Sequence, residues 1–227
     1  MMKILLLVII LATILFSGCI YYPQLADIPL IEEKSDLRID AGVTMLPSIN
    51  TTISYGLTDK IAIQGYGRVS SDEGYMFQAA VGQYHNFRNN TVLELYGGAG
   101  LGHGDAYKSA TGGHLHGNYQ LYFGQINYGR IATETSNFEI GCGLKSGYMH
   151  SSLLDENYYS PYYTQALPTR YSDDMIFTEP QVFLRLGGKH LRFSLKAGAL
   201  LMYKFTNTAH HFPYTKFNVG IGVNYRF

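Results

Sequence analysis

Val219-Gly220-Ile221-Gly222-Val223-Asn224-Tyr225-Arg226-Phe227 sets a large apolar or aromatic side chain on every second position, with Gly, Asn or Arg between. A period of two is that of a strand with one apolar and one polar face; a helix would repeat every 3.6 residues. Working back from this stretch, the same alternation recurs to Leu37, and no helical period interrupts it. Ten candidate strands follow: 37–46, 49–57, 61–70, 75–87, 91–103, about 115–130, 138–149, 176–187, 191–203 and 216–227. The apolar set of the first is Leu37, Ile39, Ala41, Val43 and Met45, and that of the fifth includes Leu93, Leu95, Ala99 and Leu101.

Composition agrees with an all-β chain. The 227 residues include 20 Tyr, 12 Phe, 25 Gly and no Trp. Lys plus Arg number 17 and Asp plus Glu 17, without a basic tract, which argues against nucleic acid as a partner. Gly97, Gly98 and Gly104 follow a strand without opening a helix, so no nucleotide-binding loop is read and no cofactor is expected.

A soluble sandwich and a membrane barrel share this local alternation; connection lengths separate them. The turns 58–60, 88–90, 131–137 and 188–190 are short, and the connections alternating with them include the long 104–114, 150–175 and 204–215. Membrane barrels carry short turns at one end and long loops at the other. An even strand count leaves both ends of the barrel chain on one side. Tyr55, Tyr75, Tyr148, Tyr203, Phe217 and Tyr225 lie near strand ends, as interfacial girdles would.

The N-terminus reads as a targeting segment. Lys3 precedes the apolar run Ile4–Phe16, too short to span a membrane as a helix, and Ser17-Gly18-Cys19 follows. The stretch LFSGC resembles a bacterial lipobox, which implies cleavage before Cys19 and lipidation of Cys19. Residues 1–18 are then a lipoprotein signal peptide, 19–36 a lipidated periplasmic tether, and 37–227 the barrel. Cys142, left alone, reads as a small buried or lipid-facing residue.

SYGLTDKIAIQGYG at 54–67, EPQVFLRLG at 179–187 and the 219–227 stretch resemble small outer-membrane β-barrel proteins of Gram-negative bacteria. That resemblance covers about residues 37–227 and implies an antiparallel up-and-down transmembrane barrel of about ten strands with periplasmic termini. It implies that Val223, Tyr225 and Phe227 form an assembly signal read by the barrel-assembly machinery. Outer-membrane lipid is the other implied partner. An N-terminal lipid is unnecessary for such a barrel, so a lipid-anchored soluble β-domain stands as the alternative fold.

Strand parity points eleven charges inward: Arg38, Asp40, Arg68, Glu94, Glu139, Lys145, Glu179, Arg185, Arg192, Lys196 and Arg226. Seven are basic and four acidic. A filled polar core is expected; the surplus of cations would make any channel narrow and anion-preferring.

The leading functional expectation is a non-enzymatic structural or interaction protein that offers its outer loops to an extracellular ligand or protein. Tyr158, Tyr159, Tyr162, Tyr163 and Tyr171 would supply stacking faces there. His150 and Ser152, two apart on the outward face, resemble the His-x-Ser of barrel enzymes that deacylate lipid A, but no acid is evident to orient the histidine. His114 and His116 share a strand side, as metal ligands can, and His103, His210 and His211 lie nearby in the loops; no Cys or carboxylate set closes a metal site.

Overall fold

A computed structural model describes residues 19–26, 28–71, 73–108, 113–132, 137–156, 168–206 and 212–227. Residues 1–18, which the sequence reading assigns to a signal peptide, and His210, His211, Tyr158, Tyr159, Tyr162 and Tyr163 therefore lie outside the described residues.

The strands are β1 (Leu37–Thr44), β2 (Ser48–Gly56), β3 (Ile61–Ser70), β4 (Tyr75–Asn86), β5 (Thr91–Lys108), β6 (Gly113–Arg130), β7 (Phe138–Glu156), β8 (Thr169–Gly187), β9 (Leu191–Ala199), β10 (Leu201–Lys204) and β11 (Phe217–Arg226). Neighbours in sequence pair antiparallel from β1 to β8, β9 pairs with β8 and β11, and β11 returns to β1. The 219–227 stretch is thus the closing seam, with Val43 opposite Ile221 and Arg38 opposite Arg226. Leu200 interrupts β9–β10 without a register slip: Gly198 faces Gln181 and Leu201 faces Thr178 on the same β8 frame. The wall is therefore a closed barrel of ten strands.

Its outer face is apolar and exposed around the whole circumference, with Ile49, Leu95, Ile140, Leu195 and Ile221 all at least half exposed in places where a soluble sheet would be polar. Cys142 belongs to this outward face. A soluble, lipid-anchored β-domain would have to leave that belt in water, so the barrel replaces that alternative.

Four strands are longer than the sequence pattern suggests. β5 through β8 run 18 or 19 residues and carry much of 104–114 and 150–175 as strand rather than loop. Polar side chains such as His103, His114 and His150 sit outward there, which hides the alternation from a hydrophobic period although the ladder continues beneath.

The stretch read as an extended tether, 19–36, is the largest departure. Among its described residues, 20–26 and 28–31 run inside the barrel, and only Glu33, Lys34 and Ser35 are exposed. Ile20, Tyr21, Tyr22, Leu25, Ile28, Leu30 and Ile31 are buried, and all of these but Tyr22 and Leu25 belong to two interior apolar clusters. The first cluster packs Ile20 and Tyr21 against Tyr119, Phe123, Met149 and Phe177, the second Ile28, Leu30 and Ile31 against Tyr84, Val92, Tyr96 and Phe183. The reason is spatial. A barrel of about eight strands is filled by its own side chains, and ten strands leave a wider lumen. Wall glycines widen it further: a Cβ on Gly129 would come within 2.8 Å of Leu30, and one on Gly198 within 2.9 Å of Leu25. Each large side chain buried in this way contributes about 1.5–3 kcal/mol.

Candidate functional site: the filled lumen and the long-hairpin rim

Parity along ten strands aims the charges, and the lumen then has to neutralise them. Arg38, Asp40, Arg68, Glu94, Glu139, Lys145, Glu179, Arg185, Arg192 and Lys196 are all buried inside the wall, and Arg226 is partly buried at the short-turn end. Glu139 on β7 gathers three guanidinium groups: Arg185 at 2.9 Å, Arg192 at 3.0 Å and Arg38 at 3.5 Å. Lys196 pairs with Asp40. Lys145 donates to Gln78 Oε1 at 3.0 Å and lies 3.9 Å from Glu179.

The wall alone carries more cations than anions, and the inner segment supplies the balance. Glu32 pairs with Arg38 at 2.9 Å and with Arg226; Asp36 lies 3.4 Å from Arg38 and 3.0 Å from Arg226. The polar backbone of the segment is met as well. Ile31 N–H donates to Glu94 Oε1 at 2.8 Å, Arg185 Nη2 donates to the Ile28 carbonyl at 2.5 Å, and Asn218 Nδ2 donates to the Pro23 carbonyl at 3.0 Å. Tyr21 donates to Glu179 Oε1 at 2.8 Å, and the Arg68 guanidinium lies 3.8 Å from the centroid of the Tyr22 ring. A buried polar group without such a partner would be costly, and these contacts spare the segment part of that cost.

On the outward face near the long-hairpin end, cross-strand pairing sets His150 of β7 directly opposite Asp174 of β8. His150 Nδ1 lies 2.8 Å from Asp174 Oδ1, the other ring nitrogen lies 3.4 Å from Ser172 Oγ, and Tyr148 donates to Asp174 Oδ1 at 2.5 Å. The acid that sequence reasoning lacked is thus Asp174, and the hydroxyl nearest the histidine is that of Ser172. Ser152, the sequence candidate, faces Ser172 across the ladder. The pairing that unites these residues spans 24 positions, so only the β7–β8 register could reveal it.

Comparison with known proteins finds no matching family model and no matching curated protein. Solved structures do match. The outer membrane protease OmpT from Escherichia coli superposes with a TM-score of 0.60 at 12% identity, covering 85% of this chain and 93% of that one. The KdgM porin gives 0.41 at 9% identity over 85% and 99% of the two chains, and Omp33 of Acinetobacter baumannii 0.31 at 8% over 85% and 97%. The fold is that of an outer-membrane β-barrel.

The histidines at the rim disperse to different partners. His114 Nδ1 lies 3.2 Å from Asp105, His116 is 4.0 Å from Glu156, and His103 is 2.9 Å from Asn118 Oδ1 and stacks on Tyr75. Among the described residues no three His, Cys, Asp or Glu side chains gather as a metal set. At the closing strand, Tyr225 packs edge-on against Phe227 with centroids 4.7 Å apart, and Val223 and Tyr225 face outward.

Proposed function

We propose that this chain is an integral outer-membrane protein that is closed to solutes and acts through its long-hairpin end, held outside the cell as a binding surface. The outward apolar belt supports the membrane placement, and the short turns then face the periplasm. The observation that carries the reading is the filled lumen. Residues 20–26 and 28–31 occupy the path that a solute would take, and Glu32 and Asp36 neutralise cations that would otherwise recommend the barrel as an anion pore. Planar-bilayer recordings of the full-length protein should stay at baseline at neutral pH. Reproducible unitary conductance from folded, heat-modifiable protein would overturn the closed reading and restore the narrow channel.

The Ser172–His150–Asp174 alignment favours a second reading, hydrolysis of acyl esters of membrane lipids at the rim. In it, His150 Nε2 takes the Ser172 proton as Oγ attacks the ester carbonyl, then returns that proton to the departing alcohol; water releases the acyl group by the same route. Asp174 holds the ring and stabilises its charged form. The 3.4 Å separation would have to shorten in the substrate complex. If this reading holds, purified protein releases fatty acid from phospholipid or lipid A vesicles, and Ser172→Ala and His150→Ala each abolish release while leaving gel mobility unchanged. Ser152→Ala serves as the comparison. No release by the unaltered protein removes the reading.

A further inference from the structure

We infer that residues 20–36 are an eleventh crossing of the membrane, made through the lumen, and that they deliver Cys19 to the outer surface rather than to the periplasmic leaflet. The direction follows from contacts along the segment. At the short-turn end, Ser35 N–H donates to the Gly56 carbonyl, Gly56 N–H donates to the Asp36 carbonyl, and the Glu32 carboxylate meets Arg226. Just inside that end, Ile31 meets Glu94 and Leu30 meets Gly129. Farther on, Leu25 sits against Gly198 and Gly220. At the far end Ile20 packs on Gly104, Tyr21 bridges to Tyr214 in parallel, and Ile20 N–H donates to the Pro213 carbonyl at 3.1 Å. Cys19 Sγ lies 2.9 Å from Thr215 Oγ1, in the connection between β10 and β11 at the long-hairpin end.

The lengths are sufficient for a single pass. From Glu94 to Gly104 the β5 wall climbs about ten residues, roughly 33 Å of strand, and the eleven steps from Ile31 to Ile20 reach roughly 36 Å when extended at about 3.3 Å per residue. The order of these contacts, from Gly56 to Thr215, runs one way from the short-turn end to the long-hairpin end. Lipid carried on Cys19 would then meet the outer leaflet beside the mouth, and the chain would be tethered on the side opposite to that expected of a periplasmic tether. This rests on the outer-membrane placement proposed above.

Two measurements on the full-length protein test it. An epitope inserted between Cys19 and Ile20 is probed with antibody on intact and on permeabilised cells, beside a second variant with the same epitope after Ser71 in the β3–β4 connection. Staining of both on intact cells is the expected result. Staining of the Ser71 epitope alone overturns the crossing and leaves the membrane placement standing, whereas staining of neither until permeabilisation overturns the placement itself. In parallel, Leu25→Cys combined with Gly220→Cys should form an intramolecular disulfide in folded protein, seen as a mobility shift reversed by reductant. A heat-modifiable barrel that never forms this disulfide under oxidation also overturns the crossing.

Discussion

Glu139 is fully enclosed and is shared among Arg38, Arg185 and Arg192. Removing its charge leaves three guanidinium groups crowded without their common anion, and breaking a buried pair from one side costs about 3–5 kcal/mol. Glu139→Gln should therefore lower the unfolding free energy of the detergent-folded barrel, measured by urea titration, by an amount in that range. Arg192→Gln should cost less, because Glu139 keeps two partners. Equal effects would mean that the cluster is not organised around Glu139. At this scale the sequence was informative wherever parity alone decides direction: the alternation at 219–227 already aims Arg226 inward. It was uninformative wherever a partner arrives from another strand. Asp174 stands beside His150 through the β7–β8 register, and no spacing within either strand encodes that meeting.

The element that escaped sequence reading is the inner segment. Its run IYYPQLADIPLIEEKSD has neither a period of two nor one of 3.6, because an extended chain surrounded by wall on every side has no solvent face to mark. The hint lay in composition: a tether exposed to water has little use for Ile20, Tyr21, Leu25, Ile28, Leu30 and Ile31. The unequal count of inward charges was a second hint, since seven cations and four anions in a closed lumen call for anions from elsewhere. Leu30→Asp tests the element by placing a second carboxylate close to Glu94, whose Oε1 already accepts from Ile31 N–H. An unpaired buried charge should expel this stretch from the lumen. The variant should give discrete conductance steps and expose residues 20–36 to added protease, while the wall stays heat-modifiable. A folded variant that is silent and protease-resistant would show that the segment is not displaced by charge.

For the whole molecule, the question is which part of the tall wall lies in lipid. β5 to β8 extend well beyond the 9–11 residues a tilted strand needs to cross, so their upper parts should stand clear of the bilayer. Leu144 and Leu154 lie on the same outward face of β7, ten residues apart: Leu144 opposite Ile126 and Pro180, Leu154 opposite His116 and Arg170. The first is surrounded by apolar neighbours and the second by polar ones, as midplane and aqueous positions would be. A cation facing lipid costs about 2–4 kcal/mol at the midplane and about 0–1 kcal/mol near the interface. Leu144→Arg should therefore destabilise the protein folded in lipid vesicles by about 2–4 kcal/mol, and Leu154→Arg by less than about 1 kcal/mol. Refolding both variants in detergent micelles should narrow the gap, because a micelle adapts its thickness to the protein. Equal penalties in vesicles would mean that the belt does not mark a bilayer boundary, and the height assigned to the long-hairpin rim, with Ser172, His150 and Asp174 on it, would have to be redrawn.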